Sequence, residues 1–188
     1  IQNEHIFNNI AQLKLKLQQS DSAVWYNGKA YQFAKKANSK RGIPNVEQTF
    51  GQIYLKELKI DSAVFYFQKS IVSAKKSEYF DIVLLNYGFL MQCFEKNQIE
   101  HNQWFEKGLE LINQKIINST FQHYFYKIAL DVFKNTNQID KLSFVQDKLI
   151  QINEENRLKG NLNIQNITEQ YAKNENKLLL LQVEELQK

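Results

Sequence analysis

The three histidines, His5, His101 and His123, and the single cysteine, Cys93, are the residues with which this chain could do metal or nucleophilic chemistry. No two histidines stand four apart, and none is joined by the Cys and Glu spacing from which a zinc site is built. Cys93 lies in the apolar run Phe89-Leu90-Met91-Gln92-Cys93-Phe94, where burial favours an inert thiol over a nucleophile. One cysteine allows no intrachain disulfide and leaves the redox character of the compartment open. There is no Gly-rich phosphate loop, no Gly-x-Ser-x-Gly elbow and no kinase signature. The carboxylates are spread as on ordinary helical surfaces. These residues predict no catalytic site, no metal and no cofactor in this chain, which is therefore expected to work by binding.

Recognition would fall to aromatics and amides. The chain has 13 Phe, 9 Tyr and 2 Trp, and by count 20 Asn and 20 Gln. The amide load is what an AT-rich codon bias produces, and no function is assigned to it. Phe121-Gln122-His123-Tyr124-Phe125-Tyr126 is denser in rings than packing alone requires.

The elements that must position these residues are helices. In 188 residues with 43% apolar content there are only 6 Gly and 1 Pro, too few turn residues for an all-β fold. The formal net charge of +4 is spread without a run of five like charges, so no nucleic-acid partner is expected. Lys35-Lys36 and Lys75-Lys76 occupy equivalent places: solvated cations at the negative poles of helix ends, or a basic strip along one edge. No run of 18 apolar residues occurs, so no span is predicted within the chain. It starts without Met and without a basic and apolar leader, as a processed form or a piece of something longer would.

Asp21-Ser22-Ala23-Val24-Trp25-Tyr26 returns as Asp61-Ser62-Ala63-Val64-Phe65-Tyr66, and each copy runs on to Ala-Lys-Lys. Phasing the acidic anchor through Asp21, Asp61, Glu100 and Asp140 divides the chain into units of about 1–40, 41–78, 79–117 and 118–157. Each unit reads as two helices. The first helices are expected over about 4–18, 45–58, 79–96 and 119–135, and the second over about 21–37, 61–76, 99–115 and 138–156. Pro44 suits a first helical turn. The anchoring carboxylates are expected to cap second helices, and the aromatics four residues on, Trp25, Phe65, Trp104 and Phe144, to pack in the core.

Phe50-Gly51-x-x-Tyr54 followed by Ala63-x-x-x-Phe67-x-x-Ser70 resembles the tetratricopeptide pattern, and Tyr87-Gly88-x-x-Met91 repeats its first half. The resemblance implies an all-α superhelix of about four helical pairs, with first helices lining a concave groove that takes peptides or proteins. By register from Gly51 and Gly88, the groove residues would be Asn45, Gln48, Gln52, Phe89, Gln92, Tyr124 and Asp131.

Beyond Gly160-Asn161 the pattern changes to a C-terminal helix over 161–188. Ile164, Ile167, Tyr171, Leu178 and Leu181 follow 3 and 4 spacing with Asn174 in the same register, which suits either a parallel coiled-coil dimer or a helix capping the last repeat. The Asp-Ser-Ala-x-x-Tyr units, the junction at 35–43 and the run Glu169 to Leu181 together resemble the periplasmic sensor portion of bacterial tetratricopeptide histidine kinases. That resemblance implies a protein or peptide ligand, a homodimer through Ile167, Tyr171, Asn174, Leu178 and Leu181, and a position next to the inner membrane without insertion. A cytoplasmic peptide-responsive transcriptional regulator and a passive scaffold are the alternative readings.

Overall fold

The structure, a computed structural model, describes residues 3–186, with side chains described through residue 170 and at Lys173. Among the described residues it is all helical: α1 (Asn3–Lys16), α2 (Ser20–Lys36), α3 (Gly42–Lys56), α4 (Ile60–Lys76), α5 (Phe80–Cys93), α6 (Gln98–Gln114), α7 (Ser119–Asn135) and α8 (Ile139–Leu186). No helix among them is long and apolar enough to cross a membrane. The chain divides into two compact units, Ile1–Gln146 and Asp147–Lys188.

In the first unit α1 packs on α2, α3 on α4 and α5 on α6, and first helices also pack on one another. The expected all-α superhelix of helical pairs is what the chain forms. Close approach is bought where side chains are small. Gly51 lies against the ring of Phe67, and a Cβ there would stand 2.5 Å from two ring carbons. Gly108 on α6 meets the ring of Phe125 on α7 as closely, across the third-to-fourth junction. The last junction differs: Lys115 leaves α6 in extended conformation, and α7 lies mainly against α5.

Helix ends explain the regularity. Gln18, Asn38, Leu58 and Glu78 all adopt positive φ, between 47° and 60°, at intervals of twenty residues. After each, the next backbone N–H reaches back five residues, as Lys59 to the Tyr54 carbonyl at 2.9 Å and Tyr79 to Ala74 at 3.0 Å. This double closure satisfies carbonyls that a helix end leaves orphaned. Asn137 does the same before α8.

Three expectations are corrected. Asp21 and Asp61 sit in the first turns of α2 and α4, whose N-cap residues Gln19 and Lys59 make no side-chain cap, so these carboxylates act through the dipole alone. The side chains that do cap are Asn97 and Asn118, accepting from Glu100 and Thr120 backbone N–H. Trp25 and Phe65 are 56% and 58% exposed, and Phe144 is also exposed, so they are not core. Each of the first two stands edge-on to the tyrosine that follows it, at 4.9 and 5.2 Å. Because α6 begins at Gln98 where α4 begins at Ile60, Phe105 occupies the place of Phe67, and Trp104 does not. Finally, α8 continues through Gly160 to Leu186 instead of ending near 156. A lone helical glycine costs only about 1 kcal/mol, and Gly160 does not take the positive φ that would end the helix.

Two outcomes are expected on thermal or denaturant unfolding. Gly51→Ala should lose up to about 2 kcal/mol, because overpacking costs roughly 1–3 kcal/mol and alanine returns about 1. Leu58→Gly should gain about 1 kcal/mol, or a few degrees in Tm, since an exposed leucine leaves left-handed backbone to the one residue that adopts it without strain.

Candidate functional site

The first helices carry most of the buried polar chemistry. Asn8 on α1 donates to Asn27 Oδ1 at 3.0 Å and to Thr49 Oγ1 at 2.8 Å, while Asn27 donates to the Val46 carbonyl at 2.9 Å. One unit on, Gln48 donates to Asn86 Oδ1 at 3.2 Å, Asn86 to Ser70 Oγ at 2.8 Å, and Ser70 to the Pro44 carbonyl at 2.7 Å. Each chain of bonds ties a first helix to its neighbour and to a second helix. Several amides that the sequence leaves without a role are thus struts between units. Leaving any one of them unpaired in this interior would cost on the order of 1–3 kcal/mol.

That accounting sorts the expected groove residues. Gln48 is only 7% exposed and its amide is spent on Ile82 and Asn86, so it offers nothing to a ligand. Asn45 and Gln52 are half-buried and seven apart on α3, hence on one face. Phe89 and Gln92 share a face of α5, with Phe89 stacked on Phe67 at 5.2 Å. Tyr124, 54% exposed, and Asp131, also exposed, share a face of α7. With α3 beside α5 and α5 beside α7, these residues form three adjacent stripes. Of the tail residues, Ile167 is exposed, while the side chains of Tyr171, Asn174, Leu178 and Leu181 lie outside the described residues.

Gln92 also opens onto a recess of about 580 Å³ that periodicity did not anticipate. It is walled by Leu55, Leu58 and Ile60 at one helix turn and by Cys93, Phe94 and Asn97 at the next. The signal available beforehand was two turns one period apart, each with apolar residues where loops are ordinarily polar. His101 closes the far side of the α5–α6 turn. It is fully buried, with Nδ1 3.1 Å from the Glu95 carbonyl and Nε2 beside the Gln138 amide. Nδ1–H donating and Nε2 accepting is the tautomer these partners require. It is a clasp between α6 and the start of α8. No group of three His, Cys, Asp or Glu able to hold a metal occurs among the described residues.

Burial pushes the Cys93 thiol up to about 12. The raised value penalises the thiolate, so the folded state loses stability as pH climbs from the ordinary value of 9.0 toward about 12. At pH 8, alkylation of the folded protein by iodoacetamide should be at least about a hundredfold slower than of the denatured chain. Mass spectrometry of timed samples measures both rates.

No protein-family model matches the chain, and no curated protein matches it significantly.

Proposed function

We propose that this chain is the ligand-sensing domain of a two-component histidine kinase, without catalytic activity of its own. The first-helix stripes bind a peptide or protein, and α8 passes occupancy on as a change in dimer geometry. The domain would work on the periplasmic side of the inner membrane, beside the bilayer and not within it. Asn45, Gln52, Phe89, Gln92, Tyr124 and Asp131 supply amide, aromatic and acidic contacts for an extended segment.

The observation that carries this reading is α8. It is one helix of 48 residues, about 72 Å at 1.5 Å per residue. From 153 to 170 every residue is exposed, including Leu158, Leu162, Ile164 and Ile167. A stretch of helix that buries none of its side chains, as 153–170 does, draws nothing from tertiary packing, which ordinarily supplies most helical stability. A second copy pairing along the apolar positions supplies that packing.

Sedimentation equilibrium of the full chain should give a dimer at micromolar concentration, and Ile164→Asp with Ile167→Asp should turn it into a monomer whose unit 1–146 melts unchanged. Identical monomers for both proteins would remove the relay from the reading.

A further inference from the structure

Between the C-terminal ends of α2 and α4 a recess of about 790 Å³ opens, sharing no residue with the first-helix stripes. Five lysines line it, Lys35, Lys40, Lys69, Lys75 and Lys76, against two carboxylates, Glu47 and Glu78. Glu47 is buried and already engaged. It accepts from Ser73 Oγ at 2.7 Å and pairs with Lys69 Nζ at 3.5 Å, while Lys69 also donates to the Tyr31 hydroxyl at 3.2 Å. Setting that pair aside leaves four lysines facing Glu78 alone.

None of those four forms an ion pair with a described residue. Lys35 and Lys75 lie instead over the rings of Tyr31 and Tyr87, 5.4 and 5.8 Å from their centres. Helix ends account for part of the charge: two C-termini at about half a negative charge each offset roughly one lysine. Glu78 offsets another. About two positive charges remain without an answer among the described residues that line the recess.

We propose that this recess binds an acidic peptide segment. Lys35, Lys40, Lys75 and Lys76 take its side-chain carboxylates, and the exposed Glu78 carboxylate accepts one of its backbone N–H groups. The mixed lining selects the class of partner. A nucleic-acid backbone brings phosphates and no peptide N–H, so the Glu78 carboxylate would only repel it. A bilayer surface meets exposed basic patches and cannot enter a recess. An acidic peptide answers both signs at once, and this site stands or falls independently of the stripes on α3, α5 and α7.

Anisotropy of a fluorescein-labelled peptide of alternating Glu and Gly, titrated with the full chain at low salt, tests this. Lys40→Gln, Lys75→Gln and Lys76→Gln together should weaken binding tenfold or more. The charge-matched set Lys16→Gln, Lys107→Gln and Lys134→Gln, on α1, α6 and α7, should change it less than twofold. In the unaltered chain, peptide-induced amide shifts should centre on Ser39, Ser73 and Ser77, a readout that needs no variant to fold. Equal losses in both lysine sets, no binding of the peptide, shifts confined to other residues, or tighter capture of a mixed-sequence oligonucleotide or of phosphatidylserine vesicles would each overturn the assignment.

Discussion

Everything in the first unit depends on one local constraint: each of the first four helices must stop at a fixed twenty-residue spacing, and the chain must turn back through a single left-handed residue. Gln18, Asn38, Leu58 and Glu78 meet that requirement at twenty-residue intervals, although none is glycine. The two backbone bonds of each closure hold the turn against a strain on the order of 1–2 kcal/mol for such residues. The tight turn brings each second helix back along its first, so Gly51 arrives opposite Phe67. A turn one residue longer would rotate the second helix by about 100° and present its polar face there.

Turns set length, and the buried polar bonds set lateral order. Apolar contact between helices is non-directional and tolerates sliding. The chains Asn8–Thr49 and Gln48–Asn86–Ser70 do not, because a shift of even one turn would strand amides in a dry interior. At the third-to-fourth junction no left-handed turn intervenes; α7 settles chiefly on α5, with Ile128 and Phe125 against Gly88, while Phe125 also fills the space beside Gly108 of α6. The superhelix is most regular where both devices operate and least regular where the turn is missing.

The pairing of the helices and most of their boundaries were legible in the sequence because the Asp-Ser-Ala repeat and the 3 and 4 spacing report the same period, whereas the separate C-terminal helix expected over 161–188 is the continuation of α8. The turns were not, since Leu58 and Glu78 carry none of the glycine signature of a left-handed cap. The third unit was phased one residue late because Trp104 and Phe105 are adjacent rings, and only burial tells which of them is core. Gln48 looked like its neighbours Asn45 and Gln52 because its partner Asn86 lies 38 residues away. For the same reason the basic recess showed only as two lysine pairs: Lys40 and Lys69 join it from a connection and from mid-helix, places no local pattern links.

The two features left without a partner inside the chain differ in what they can transmit. A ligand shifts a conformational equilibrium only by its difference in affinity for the two states. Stripes on α3, α5 and α7 cross unit boundaries, so a peptide laid over them responds to any change in how neighbouring units pack. The recess lies between the ends of α2 and α4, whose spacing is held by the Ser70 and Ser73 bonds to α3. A ligand there meets much the same geometry in either state and adds affinity with little coupling. On the proposed readings, sensitivity would belong to the stripes, and retention of an acidic partner to the recess.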